Sequence, residues 1–164
     1  MQACEFSIWS GTIRGITNGQ QGQVVLALHG FLDNAASMAC LAPAMSQYQY
    51  IAIDLPGHGL SDHRPPCAHY NQMDYIQDLH ELVVSQDWQD IVIVGHSMGG
   101  ILASIYAAVF PERVSAIAMI DACGPLTLPP ETSTEQLRAS ILSRLPKPGR
   151  TGSPREVDLD AAVA

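Results

Sequence analysis

The run Ile91–Gly100 reads I-V-I-V-G-H-S-M-G-G. Four β-branched residues lead straight into Gly95-His96-Ser97-Met98-Gly99, a G-x-S-x-G pattern, and the small-residue helical pattern Ile101–Val109 follows. A serine between a buried strand and a helix has the placement of a nucleophile for carbonyl carbon. The turn is so tight that the Ser97 backbone is strained and its hydroxyl is lifted clear of the sheet. Gly95 and Gly99 stand where a side chain would collide with neighbouring backbone. The start of the helix supplies amide donors and a dipole that favour a developing negative charge.

A serine hydroxyl is a poor nucleophile without a base, so this chemistry needs a histidine within reach, oriented by a carboxylate. All six histidines (His29, His58, His63, His69, His80, His96) precede Ser97, and none follows it. His96 adjoins Ser97, and neighbours at a strand end point in opposite directions. His80 falls mid-helix, as a solvated or interfacial residue. His63 and His69 fall in a loop rich in Pro, Asp and His. Asp121, which closes the apolar run Val114–Ile120, is a candidate for the acid.

These residues must be held by strands alternating with helices. Glu5–Trp9 and Thr12–Ile16, separated by Ser10-Gly11, read as a hairpin. Val24–Leu28, Tyr50–Leu55, Ile91–Val94 and Val114–Ile120 read as buried strands. Asn34–Ser46 has Met38, Leu41 and Met45 at helical spacing. Pro43 interrupts it, which predicts two short pieces or a helix restarting at the proline. Ser61–His69 reads as a surface loop, and Asn71 can cap a helix whose apolar face is Met73, Ile76, Leu79, Leu82 and Val83. The spacing gives βαβ units and a parallel sheet. After Ala122 the pattern changes. Thr134–Leu145 reads as an amphipathic helix carrying Leu137, Ile141, Leu142 and Leu145, and Pro146–Ala164 as disordered tail.

Composition narrows the partners. Asp plus Glu outnumber Lys plus Arg by 16 to 8, which disfavours nucleic acid. No apolar run reaches the length of a membrane span, and Met1–Ser10 has no secretory-signal pattern. Four scattered cysteines (Cys4, Cys40, Cys67, Cys123) lack metal-ligand spacing and read as buried or semi-buried thiols of a reducing compartment, so the expected location is the cytoplasm. Gly57-His58-Gly59 is not a dinucleotide fingerprint opening a helix, so neither cofactor nor metal is expected.

Three motifs then carry a resemblance. His29-Gly30-Phe31 after a strand, Asp54-Leu-Pro-Gly-His-Gly-Leu-Ser61 after the next, and Gly95–Gly99 resemble, in that order, the α/β-hydrolase superfamily over its N-terminal portion. His29-Gly-Phe-Leu-Asp-Asn34, with Trp88, is similar to the serine-hydrolase-like (kraken-type) branch. The resemblance implies an α/β fold: a mostly parallel sheet flanked by helices, truncated after the sixth strand. It implies a core over residues 1–125, the start of a cap or lid helix over 126–145, and a tail over 146–164. It implies a serine hydrolase acting on carboxylic esters, with acyl transfer to Ser97 and then to water. The amides of Phe31 and Met98 would form the oxyanion hole, and His29, Gly30, Asp54, Gly57, Gly59, Gly95, His96 and Gly99 would shape the site.

In that family the acid and then the histidine follow the serine. Here no histidine does, so the resemblance also implies that the site is incomplete in this chain. The sequence is either the front part of a longer hydrolase or a shortened relative. The alternative function is a non-catalytic α/β-hydrolase-like protein that binds a ligand or partner. Phe31, Met98 and Leu126 point to a small-molecule ester with an apolar acyl part. Val114–Ile120 is apolar on both faces, as an interior strand should be, yet it would be an edge. Self-association through it is expected.

Overall fold

The computed structural model describes residues 1–125, 127 and 129–145. The chain divides into two units, Met1–Pro125 and Leu126–Ala164. The first holds a six-stranded sheet in the order β1-β2-β4-β3-β5-β6. Its strands are β1 (Gln2–Ile8), β2 (Gly11–Thr17), β3 (Val24–Leu28), β4 (Gln49–Ile53), β5 (Ile91–His96) and β6 (Val114–Ile120). β1 and β2 form the antiparallel hairpin and β2 runs antiparallel to β4, whereas β3, β4, β5 and β6 are mutually parallel. β1 begins earlier than expected, at Gln2, but stops at Ile8, leaving Trp9 in the turn, and β2 extends past both expected bounds, because the hairpin stays in register from Gln2↔Thr17 to Ile8↔Gly11.

Alternation along the parallel strands divides the core between two faces. Leu26, Leu28, Ile51, Ile53, Ile91 and Ile93 face α1 (Gln72–Ser85) and α2 (Met98–Val109), packing with Leu79, Leu82, Leu102 and Tyr106. Val25, Ala27, Tyr50, Ala52 and Val94 face the 3₁₀ helix Ala35–Met45 through Ala35, Met38 and Ala42. Each fully buried Leu or Ile is worth about 1.5–3 kcal/mol, so the α1/α2 face supplies most of the cohesion. Trp88, beside Val83, closes that core edge-on to Phe6 at 5.6 Å between centroids.

Several expectations are corrected. Ala35–Met45 is a single 3₁₀ stretch that runs through Pro43, capped by Asn34, whose Oδ1 accepts the Ala36 N–H at 2.9 Å. Met73 is exposed, and Tyr75 replaces it on the buried face of α1 together with Ile76, Leu79, Leu82 and Val83. Met73 lies in the first turn, ahead of that buried stripe. Ser61 is buried rather than part of a surface loop, because its hydroxyl accepts the Arg14 N–H at 2.7 Å and donates to the Asp54 carbonyl at 2.6 Å. Three of the cysteines are exposed. Cys40 lies on the outside of the 3₁₀ helix, and Cys67 and Cys123 lie in loops. Only Cys4 is half-buried, and burial pushes its thiol up to about 11.

β6 closes one edge of the sheet, and from Ser115 to Ile120 every residue is exposed. Ala116, Ala118 and Ile120 share the face of Val92, Val94 and His96, and Ile120 lines a pocket with Ser37, Met38 and Leu41 of the 3₁₀ helix. Ile117, on the α2 side, is 36% exposed. The second unit carries α3 (Ser133–Ser143), entered through a 3₁₀ turn at Pro130–Thr132, with Leu137, Ile141 and Leu142 exposed. The expected tail, Pro146–Ala164, and Leu126 lie outside the described residues. No helix among the described residues is long and apolar enough to cross a membrane.

Candidate active site

The carboxyl ends of parallel strands are where an open α/β sheet presents its loops to a ligand. Ser97 sits there, between β5 and α2, with φ 48° and ψ −114°. That is left-handed backbone for a residue with a side chain, costly on its own and kept only where the surroundings enforce it. They do so here. The Ser97 N–H donates to the Ile120 carbonyl at 2.9 Å, and the Ser97 carbonyl accepts from Gly100 and Ile101 at 3.0 and 3.1 Å. A Cβ at Gly95 would lie 2.3 Å from the Gly99 carbonyl carbon, and one at Gly99 would lie 2.2 Å from the Leu28 carbonyl oxygen. The two glycines therefore let α2 start against the ends of β3 and β5. The Ser97 hydroxyl has no hydrogen-bond partner among the described residues.

The turn after β3 packs against this serine. A Cβ at Gly30 would meet His96 Nδ1 at 3.0 Å and Ser97 Cβ at 3.5 Å, so a bare residue lets the turn come this close. His29 is fully buried beneath it. Its Nδ1–H donates to the Gly30 carbonyl at 2.6 Å, and its Nε2 accepts the Leu55 N–H at 3.0 Å. Both ring nitrogens are committed, and burial lowers the pKa, so His29 is a neutral strut between the ends of β3 and β4. Phe31 is 67% exposed, and its N–H has no partner among the described residues. Met98 opens α2, where the first-turn amides have no intrahelical acceptor. The Phe31 and Met98 amides are thus both without an acceptor among the described residues.

Asp54 ties the framework together. Its Oδ1 accepts the Ala35 N–H at 2.6 Å and its Oδ2 accepts the Leu60 N–H at 2.8 Å, which ties the turn after β3 to the loop after β4. A Cβ at Gly59 would lie 2.2 Å from Asp54 Cγ, and Gly59 has φ +51°, so only glycine fits beside the carboxylate. Asp121 follows Ile120 directly, with φ 51°, exposed and without a hydrogen-bond partner among the described residues. It stands at the end of β6, next to the carbonyl that holds Ser97.

The histidines do not converge on Ser97. His80 stacks on Phe110 at 3.7 Å between centroids and approaches the Tyr106 hydroxyl at 3.3 Å, joining α1 to the end of α2. His96 is half-buried opposite Ile120, beside Gly30. His63 approaches the Tyr70 hydroxyl at 3.4 Å in the loop after β4. His58 is buried under His29, with ring centroids 5.1 Å apart. The structure gathers His58, Tyr70 and Tyr75 around Phe31, residues to which the sequence assigns no role at the site. No spacing signal links residues from three separate segments.

Comparison with known proteins gives the same picture. Residues 23–150 match the alpha/beta hydrolase fold family model. The serine hydrolase-like protein of Danio rerio is 39% identical over 116 residues, covering 70% of this chain and 36% of that protein. The structure of the hypothetical protein PA1622 from Pseudomonas aeruginosa superposes with a TM-score of 0.81 at 32% identity, covering 87% of this chain and 51% of that one. The thioesterase domain from the curacin biosynthetic pathway superposes with a TM-score of 0.75 at 28% identity, covering 90% of this chain and 53% of that domain. The chain spans about a third of the zebrafish relative and half of the two solved structures. With the family model matched over most of its length, and with the sheet order and the strained serine turn in place, the chain belongs to the α/β-hydrolase family.

Proposed function

We propose that this chain carries the nucleophile and oxyanion portion of a serine hydrolase acting on carboxylic esters. The observation that carries the reading is Ser97: strained, at the start of α2, its hydroxyl unpartnered, with the Gly30–Phe31 turn packed against it. In the reaction Ser97 Oγ attacks the ester carbonyl, and the amides of Phe31 and Met98 stabilise the resulting oxyanion. The alcohol leaves with the proton taken from Ser97. Water then attacks the acyl-serine and releases the acid. Each oxyanion donor of this kind is worth about 2.7–4 kcal/mol at the transition state.

The proton needs an acceptor, and no described imidazole bonds to Ser97. In this reading the base arrives from polypeptide beyond this sequence or from the loop bearing His63 and His69. Asp121, with its carboxylate unpartnered, would orient it. A second reading, a non-catalytic relative that binds a ligand at the same cleft, is favoured by the same lack of a bonded imidazole.

Labelling with a fluorophosphonate probe, read by intact mass with Ser97→Ala as control, separates the two. A hydrolase gives a single adduct on Ser97 that the variant loses. If the folded wild type is as inert as the variant, a base from the loop bearing His63 and His69 is excluded; the same probe on a longer polypeptide that supplies a histidine then decides, and inertness there leaves the binding reading.

A further inference from the structure

Among the described residues two buried side-chain nitrogens lack a hydrogen-bond partner, His58 Nε2 and Arg64 Nε. The second belongs to an ion pair. Arg64 Nη2 donates to Asp78 Oδ2, and the two side chains are 12% and 4% exposed. The Ser10 hydroxyl donates to the other Asp78 oxygen at 2.8 Å. With Nε unpartnered, the side-on, two-point grip that suits a guanidinium and a carboxylate is not made. A buried pair offsets the loss of water only when its geometry is good and its remaining polar atoms are satisfied. Here one is not, so the pair contributes little to the fold for two buried charges.

Its place in the chain gives it a different consequence. Asp78 sits on α1, and Arg64 sits on the loop that joins β4 to α1. The loop is tied at its start, where the Asp62 carboxylate accepts the Thr12 N–H at 2.9 Å and Arg14 Nη1 at 2.7 Å. It is tied again at its end, where Asn71 caps α1. Between these points the other hydrogen bonds are internal. The Arg64 N–H donates to the Tyr70 hydroxyl at 2.8 Å, His63 Nδ1 lies 3.4 Å from that hydroxyl, and the Ala68 N–H donates to the Pro65 carbonyl at 2.8 Å. Among the described residues, Arg64–Asp78 is the one polar link from residues 63–70 to the rest of the fold. This segment carries His63 and His69. His63 and Tyr70 meet Phe31, Leu32, His58 and Tyr75 around a ring-walled cavity of about 200 Å³. The pair therefore fixes how the histidine-bearing loop lies beside the turn after β3.

The two partners respond differently when the pair is broken. Asp78 faces Arg64 from the loop, Ser10 from the hairpin, and Asp74, Tyr75 and Glu81 from its own helix. Burial raises its pKa above the ordinary 3.8, and the Asp74 and Glu81 charges act in the same direction, against Ser10 and Arg64. The folded state thus takes up this proton more readily than the unfolded chain, so neutralising Asp78 does not oppose folding. It does remove the counter-charge of Arg64. A guanidinium stays charged, and a buried one without a partner is costly. Asp78 is held by its helix, whereas Arg64 is on a loop at the surface. The less costly response is for Arg64 to return to water and carry its segment with it.

We propose that the Arg64–Asp78 pair is a latch: paired, it holds the His63–His69 segment against α1, and neutralising Asp78 releases that segment while the core stays folded. The latch rests on the ester-hydrolase reading for its biological sense, as control of the loop beside the Ser97 site, but its test does not require turnover.

The test is amide hydrogen exchange of the full 164-residue chain, read residue by residue by NMR and corrected for the intrinsic rate at each pH. At pH 7, Asp78→Asn should speed exchange at residue 64 by about tenfold or more, with the amides of β3 and β5 no faster than in the wild type. Because a change at a buried carboxylate can unfold a chain, Arg64→Met breaks the same link from the loop side and should give the same loosening. The double variant should be no looser than either single one, since all three lack one link. In the wild type the loosening should set in as pH falls toward the raised pKa of Asp78, above 3.8, and Asp78→Asn should show no such step. His63 and His69 titrate in both forms, so a step that persists in Asp78→Asn belongs to them and overturns acid release. Unchanged exchange at residue 64 in both folded variants, or loosening of β3 and β5 together with the loop, overturns the latch. Loop release with no fluorophosphonate adduct on this chain or on a longer polypeptide keeps the latch and removes the hydrolase reading, whereas an adduct without loop release does the reverse.

Discussion

Replacing Gly99 with alanine tests the central geometric claim, because two effects of opposite sign compete at that position. Gly99 lies in the first turn of α2, and alanine is worth about 1 kcal/mol over glycine inside a helix. Propensity alone therefore predicts a more stable protein. The new Cβ, however, would stand 2.2 Å from the Leu28 carbonyl oxygen, 2.6 Å from its carbon and 2.8 Å from the His29 carbonyl oxygen. None of these is a flexible side-chain tip. Leu28 ends β3, which is hydrogen-bonded to β4 on one side and β5 on the other, so the strand cannot retreat alone. Overpacking of a rigid site costs about 1–3 kcal/mol, and backbone on every side places Gly99→Ala at the upper end. Subtracting the helix gain leaves a net loss of about 2 kcal/mol. For a chain of this length that lowers Tm by roughly 4–8 °C. Thermal unfolding followed by circular dichroism, with urea titration as a second axis, reads the difference. A Tm equal to or above that of the wild type would refute the close approach of α2 to β3, and with it the reason for glycine in the serine turn.

Two further outcomes follow from the structure. Burial lowers the pKa of His29 below its ordinary 6.5, so the unfolded state takes up the proton first. Stability is then level above pH 6.5 and falls as pH drops below it towards the depressed folded value, at up to about 1.4 kcal/mol per pH unit. His29→Asn should be less stable at pH 7.5 but show a shallower fall between pH 6.5 and 5, and equal slopes in urea titrations would contradict the assignment. The exposed edge β6 should drive concentration-dependent association, measured by sedimentation velocity. Ala118→Lys, a charge on that edge strand, should shift the chain toward monomer, and a wild type that is monomeric at all concentrations would remove the idea.

The serine turn was legible because its requirements are local. Four β-branched residues, two glycines at fixed offsets and a small-residue helix leave few other conformations, and the structure has Ser97 at φ 48° between β5 and α2. The parallel strands were legible for a similar reason. A run such as Val24–Leu28, apolar on both faces, has to be covered on both sides, and α1 and α2 on one face and the 3₁₀ helix on the other do so. The edge position of β6 followed from counting strands, since no further apolar run appears after Val114–Ile120 before the composition changes. What the sequence could not show depends on distances between remote segments. Met73 matched the helical period but lies ahead of the buried stripe of α1, where Tyr75 is buried instead. Ser61 sat among loop residues, yet two hydrogen bonds to β2 and to Asp54 bury it. The tautomer of His29, the orphaned nitrogen of His58 and the ring-walled pocket beside Phe31 exist only once the loops after β3 and β4 fold over each other. Periodicity governs which face of an element is apolar, but the packing of loops from different strands decides which polar atoms are satisfied and which are left without a partner.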